Sequence, residues 1–293
     1  MKFLLQTVKP LVEKYPLIAK IYRYTRDSFY IRKKVKSVHG FYWQGNKTMS
    51  DGSFEPNELK LVKKILNLTD IFINIGANQG IYVCHALDKN KKVIAFEPDQ
   101  INFEYLINNI TINNWTSNVE AYPCALGNKN CLNKLYGSDT GASLIEGWAG
   151  NDSSKYQLIP TIKLDSFIRD DMKNKQLFFL IDIEGSENEM LEGAKNFIKL
   201  DLKPIWMIEI ATYEHQPIKN KINPNLISTF KKFYDHGYKA FNADKNLREI
   251  RLNEITKIAK NESDPNLALS RNFLFMDENH AEEYLNLLMT KSS

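Results

Sequence analysis

Long apolar runs, a cysteine framework and a large excess of one charge are all missing from this chain of 293 residues. No stretch approaches the roughly 18 apolar residues that a membrane-spanning helix needs, so no span is expected. The start, Met1-Lys2-Phe3-Leu4-Leu5-Gln6, is broken by polar residues too soon for the apolar core of a signal peptide. The three cysteines, Cys84, Cys124 and Cys131, show no zinc-ligand spacing, and an odd number gives no disulfide framework. They read as thiols in a reducing compartment, and the chain as cytoplasmic. A net charge of +4 is too small to argue for nucleic acid, and none is expected as a partner. Internal repeats and low-complexity segments are absent too. What is present is ordinary globular composition, 43% hydrophobic and 25% charged, with length for one large domain or two small ones.

The charge is unevenly spread. Residues 1–36 hold ten basic side chains against Glu13 and Asp27, so this arm carries +8 and the remainder −4. Leu4, Leu5, Val8, Leu11 and Val12, then Ile18, Ile21 and Tyr22, recur at helical spacing with basic residues between them. The pattern predicts one or two amphipathic helices. Packing on the domain, a homodimer contact, and peripheral contact with the inner face of a membrane all remain open for them. Residues 38–56, with Phe41, Tyr42 and Trp43 among turn residues, read as a short hairpin or lid whose aromatics either pack in a core or cover a ligand. The division expected is thus an arm and lid over 1–56 and a main domain over 57–293.

Within the main domain, Ile71, Phe72, Ile73 and Ile75 form a strand buried on both faces, which runs into Gly76-Ala77-Asn78-Gln79-Gly80 and then a helix. A strand, a glycine turn and a helix begin a doubly wound sheet. The glycines are expected to let backbone approach a ligand, and the helix start to offer free N–H groups. Asn78 either bonds that ligand or caps the turn. Ile94-Ala95-Phe96-Glu97-Pro98 is a second strand ending in an acid, 21 positions after Gly76, where a carboxylate would grip ribose hydroxyls. A third strand, Val119 to Pro123, leads to Cys124-Ala125-Leu126-Gly127, where an adenine ring would rest.

Residues 128–164 lack helix signals and read as short strands and glycine loops, an insertion long enough to shape a substrate mouth. Two acid-tipped apolar strands follow, Leu177–Ile183 and Pro204–Ile210. Two more, Gly237–Asn242 and Asn272–Met276, finish the sheet. The alternation predicts seven strands, mostly parallel, closed by a C-terminal antiparallel hairpin, with an N-terminal helical extension.

Asp182, Glu184, Glu187, Glu209 and His215 all fall near strand C-terminal ends, where open α/β sheets bind ligands. Asp182 and Glu184 would share a side if their strand persisted past Ile181. Either acid, or His215, can serve as a general base; capping the next helix is the structural alternative. Clustered acids also suit Mg²⁺ or Ca²⁺, but nothing fixes that spacing, and no metal is predicted.

Five pieces occur in order over 70–210: Phe72 to Gly80, Ala95 to Pro98, Lys163-Leu164-Asp165, Ile181 to Glu187 with Leu191 to Ala194, and Ile208-Glu209. Together they resemble the FkbM-type S-adenosylmethionine-dependent methyltransferases. The resemblance implies a Rossmann-like class I methyltransferase fold, S-adenosylmethionine as cofactor, and methyl transfer to an oxygen of a glycan or a secondary metabolite. It places Asn74, Gly76, Ala77, Asn78, Gly80, Glu97, Pro98 and Ala125 around the cofactor, and Asp182, Glu184 and His215 at the reaction. Two positions depart from the family pattern: Asn74 stands where the family usually has Asp, and Leu180 where it often has Lys, a partner for Asp182 or Glu184. The function expected is O-methylation of a surface polysaccharide, glycolipid or glycan precursor. The alternatives are a small-molecule or lipid acceptor, or a non-catalytic nucleotide-binding module. An NAD-binding oxidoreductase is disfavoured because Asn78 replaces the second glycine of the dinucleotide pattern.

Overall fold

The structure, a computed structural model, describes residues 30–244, 246–260 and 271–290. The chain divides into two compact units, Met1–Phe54 and Glu55–Ser293. The helices expected over 1–36 lie outside the described residues up to residue 29. The part that is described is not helical: Tyr30–Lys36 is strand β1, pairing antiparallel with β2, Tyr42–Asn46. A hairpin therefore exists, but its first strand comes from the end of the basic arm. Asn46 caps the short helix α1, Lys47–Ser50, by accepting from Thr48 N at 3.0 Å. Trp43 is fully buried and donates its Nε1–H to Asn46 O, whereas Tyr42 is exposed beneath the Lys34 ammonium.

In the second unit, Pro56 sits in the first turn of helix α2, Pro56–Ile65, where its missing N–H costs nothing. Leu59, Val62 and Ile65 form its buried stripe. Then come β3 (Ile71–Ile75), α3 (Ile81–Asp88), β4 (Lys92–Phe96), α4 (Gln100–Ile112) and β5 (Val119–Tyr122). Asp99 starts α4 by accepting from Ile101 N and Asn102 N, the job of a short acidic N-cap. β6 (Ala125–Leu126), β7 (Cys131–Tyr136) and β8 (Tyr156–Ile162) form a separate three-stranded sheet in the order β6-β8-β7. Elsewhere in the insertion read as short strands and loops, Ser143 makes only an isolated bridge with Tyr136.

The chain re-enters the main sheet with β9 (Leu177–Ile181), followed by α5 (Glu187–Glu192), α6 (Lys195–Ile198), β10 (Ile205–Glu209) and α7 (Leu226–Tyr234). It closes with β11 (Tyr238–Asn242), β12 (Glu249–Ile250), α8 (Leu252–Ala259), β13 (Asn272–Asp277) and α9 (Ala281–Met289). The main sheet runs β12-β11-β13-β10-β9-β3-β4-β5. Pairs from β10 through β5 are parallel, and those involving β13 and β12 are antiparallel. All seven expected strands are present, and the two-residue edge strand β12 makes an eighth. The closing antiparallel pair is not a tight hairpin: β13 returns from β12 and α8 to slot between β10 and β11.

Burial on both faces explains the continuous apolar runs. Ile71, Ile73 and Ile75 of β3 pack on one side with Phe179 and Trp206, whose rings stack at 4.0 Å. Phe72, Phe178, Leu180 and Met207 pack on the other, against α2 and α3. Among the described residues, no helix is long and apolar enough to cross a membrane.

Candidate active site

β3 and β9 are parallel neighbours, and their ends are stitched together: Asp182 N donates to Ile75 O at 3.0 Å. Gly76 follows with φ +79°, and a Cβ placed on it would lie 1.8 Å from the carbonyl oxygen of Asp182. The glycine is thus required by the chain's own backbone rather than by a ligand. Gly80, at φ +87°, likewise faces Leu106 of α4. The turn between them differs from expectation in a second way. The amides of Gly76 and Ala77 both donate to Phe96 O, Asn78 N donates to Glu97 Oε2, Gln79 N to Asn78 Oδ1, and Gly80 N to Ala77 O. The turn is closed against the tip of β4, and every amide from 76 to 80 has a partner within the protein. Asn78 takes the capping role, and its backbone stands at φ +50°.

A cleft of about 600 Å³, its open mouth included, lies at the C-terminal ends of β3, β4 and β9. Gly76, Asn78, Glu97 and Pro98 line one part of it, with Cys124, Ala125 and Leu126 nearby. Asp182, Ile183, Glu184 and Ser186 line another. Glu97, 5% exposed, is fixed by Asn78 N at 2.7 Å and Asp99 N at 2.8 Å, which ties the tip of β4 to the glycine turn.

Asn74, Ala77, Gly80 and His215 do not line the cleft. Asn74 is buried within β3, directly in register with Leu180 of β9, and its Nδ2 donates to Leu180 O at 3.3 Å. The two departures from the family pattern are therefore cross-strand neighbours. Leu180 is opposite Asn74, not beside Asp182 or Glu184. Ala77 packs in the core against the α3 side of the sheet. His215 follows β10 at φ +62°, with Nε2 3.3 Å from Arg271 Nη1.

Strand β9 ends at Ile181, so Asp182 and Glu184 do not meet by strand alternation as expected. A turn brings them to the cleft instead, with Glu184 at φ +53° and Gly185 at φ +102°. The turn is held from the insertion: Trp148 Nε1 donates to Glu184 Oε2 at 2.6 Å, and Ser143 Oγ to Glu184 O at 2.6 Å. Thr140, Ala142, Ser143 and Leu144 form that wall of the cleft. The sequence marked 128–164 as a substrate-side insertion, but nothing in its spacing ties Trp148 to Glu184, 36 positions away.

Among the described residues no Lys, Arg or His lines the cleft. Burial, then the charges of Glu209 and Glu184, hold the Asp182 carboxyl well above the usual carboxylate range. Burial pushes Glu187 up to about 8, against the opposing hydrogen bond from Gly185 N at 2.8 Å. Native Glu187 therefore keeps a proton that the unfolded chain releases near 4.5. Its contribution to stability is full below about pH 4.5 and is lost as pH rises to about 8. Glu187→Gln, which can still accept from Gly185 N, should raise Tm at pH 8 and leave it nearly unchanged at pH 5. Equal shifts at both pH values in a thermal melt would refute that assignment. Among the described residues, no group of three or more His, Cys, Asp or Glu side chains is arranged to hold a metal ion.

The Methyltransferase FkbM domain model matches residues 74–267, two thirds of the chain. Among solved structures, the chain is similar to methyltransferase FkbM from Methylobacillus flagellatus, with 20% identity and a TM-score of 0.39, over 71% of this chain and 44% of that one. It thus spans less than half the length of the Methylobacillus protein. Similarity also extends to an O-methyltransferase from Bacillus cereus in complex with SAH, with 14% identity, a TM-score of 0.39, and coverage of 78% and 83%. A precorrin-6y C5,15-methyltransferase from Geobacter metallireducens matches at 14% identity and a TM-score of 0.35, covering 64% and 71%. No curated protein matches. The architecture is α/β, built on a large mixed sheet that is mostly parallel. With the family's domain spanning from the glycine turn to beyond the last acid-tipped strand, the chain belongs to the FkbM methyltransferase family.

Proposed function

We propose that this chain binds S-adenosylmethionine and methylates a hydroxyl oxygen of a surface polysaccharide, a glycolipid or a glycan precursor. The observation that carries this reading is the meeting of Glu97 with Asp182 and Glu184 in one cleft around Gly76. The residues suit the cofactor. Glu97 brings a carboxylate, an acceptor suited to ribose hydroxyls, to the cleft, and Phe96, Ala125 and Leu126 give an apolar wall for adenine. When bound, the cofactor supplies an electrophilic methyl group on a sulfonium. Asp182 accepts the proton that the attacking hydroxyl loses, and burial, with the nearby Glu209 and Glu184, raises its affinity for that proton. Glu184 holds the acceptor's remaining hydroxyls. A cleft lined, among the described residues, by carboxylates and no cation favours an uncharged hydroxyl over a phosphate or carboxylate acceptor.

Calorimetry tests the cofactor. S-adenosylmethionine and S-adenosylhomocysteine should bind and NAD should not. Glu97→Ala should weaken both adenosyl ligands about tenfold or more, the value of one charge-assisted hydrogen bond. Binding of NAD alone would reverse the reading. Mass spectrometry of cell-surface glycans with and without the gene tests the acceptor: a loss of about 14 Da, one methylene, is expected when the gene is removed. Unchanged glycans would move the acceptor to lipids or small metabolites.

A further inference from the structure

The acid turn at the cleft is held in a conformation that its own residues do not favour. Glu184 is left-handed at φ +53° without being glycine, a strain that persists only where surrounding structure imposes it. Two contacts from the insertion impose it. Ser143 Oγ holds the Glu184 carbonyl and Trp148 Nε1 holds its carboxylate, both at 2.6 Å. The next residue, Gly185, is fitted to the same indole: a Cβ there would lie 2.4–2.8 Å from the Trp148 ring. Trp148 is 1% exposed, and its loop is anchored independently of the turn. Asn151 Nδ2 donates to Gly141 O at 2.8 Å, and Ala149 N to His215 O at 2.8 Å, which ties the loop to the segment after β10.

We infer that Trp148 is a positioning residue for the acceptor: its indole N–H fixes the Glu184 carboxylate at the cleft, so the 137–151 loop sets where the acceptor is held. The inference rests on the methyl-transfer reading above. An indole can only donate, and donation to an ionised carboxylate is a strong, oriented bond. It occupies Oε2 and fixes the plane of the carboxylate. Trp148→Phe keeps an aromatic ring in the loop, removes the donor, and draws back the ring edge that faces Gly185. Glu97, on the cofactor side of the cleft, accepts from Asn78 N and Asp99 N.

The test compares wild type with Trp148→Phe. Binding of S-adenosylhomocysteine should stay within about twofold. Transfer of label from S-adenosylmethionine to a glycan and lipid extract of cells lacking the gene should fall about tenfold or more, because small misplacement of a reacting partner is costly. The apparent KM for the extract should rise while that for S-adenosylmethionine stays. The indole ¹⁵N–H resonance that vanishes in Trp148→Phe should move upfield in Glu184→Ala. Should Trp148→Phe fail to fold, Ser143→Ala is expected to show the same rise in extract KM. Unchanged extract KM in the folded variant, or an indole resonance indifferent to Glu184→Ala, overturns the proposal. If wild type neither binds S-adenosylhomocysteine nor labels the extract, the methyl-transfer reading fails, and the resonance still decides the Trp148–Glu184 bond.

Discussion

Gly76→Ala is expected to abolish S-adenosylhomocysteine binding and to lower Tm by about 10 °C or more. Alanine is the smallest side chain, yet its Cβ would sit 1.8 Å from Asp182 O. Neither partner is free to retreat. Gly76 N is bonded to Phe96 O at 2.9 Å, and Asp182 N to Ile75 O at 3.0 Å, so the tips of β3, β4 and β9 are tied together at this point. Left-handed backbone at a non-glycine residue adds a further 1–3 kcal/mol or so. With broken tip contacts the total is about 4 kcal/mol, the range of the most damaging single substitutions. At roughly 2–4 °C per kcal/mol for a domain of this size, that gives the stated shift. Differential scanning fluorimetry and calorimetry measure both effects. Retention of both stability and binding in Gly76→Ala would show that the tips do not meet as described.

Asp182→Asn should bind S-adenosylhomocysteine like wild type and lose turnover by about 10²–10⁴, the usual worth of a positioned general base. Asparagine preserves shape and cannot take the proton. Wild-type turnover should rise with pH through a pKa above the ordinary carboxylate range, because burial first, then Glu209 and Glu184, disfavour the ionised form. The same cause fixes the sign of the stability effect. Native Asp182 holds a proton above pH 3.8, where the unfolded chain has released it, so its stabilising contribution declines as pH rises from there to its folded pKa. Asp182→Asn should therefore gain Tm over wild type at pH 8 relative to pH 5 while losing activity at both. Such a variant separates damage to chemistry from damage to folding. Full activity on the glycan extract would assign the base elsewhere, Glu184 being the next carboxylate in the cleft.

Most of the sheet strands were legible because each is a largely apolar local run with buried residues on both faces, a signal contained in five or six residues, whereas β5 has four half-buried residues and was placed by the alternation of strands and helices. The start of α4 was legible too, since Asp99 satisfies amides only two and three residues away. The edge strand β12 has two residues and takes its identity from pairing with β11, so no local pattern announces it. The purpose of Gly76 was only half readable. A glycine after a buried strand indicates close approach, but whether to ligand or to backbone depends on where β9 ends, 105 residues on. The two family departures appeared as separate losses until the register set Asn74 against Leu180.

By itself, then, the sequence determined the seven main-sheet strands, their alternation with helices and the family, since periodicity, turn chemistry and motif order act over a few residues at a time. Tertiary structure decided the site. Parallel pairing laid the tips of β3, β4 and β9 side by side, closed the amides of 76–80 upon their neighbours, and carried Trp148 across the insertion to Glu184. Those contacts join residues tens of positions apart, and their partners are chosen by packing of the whole sheet, which no local pattern encodes.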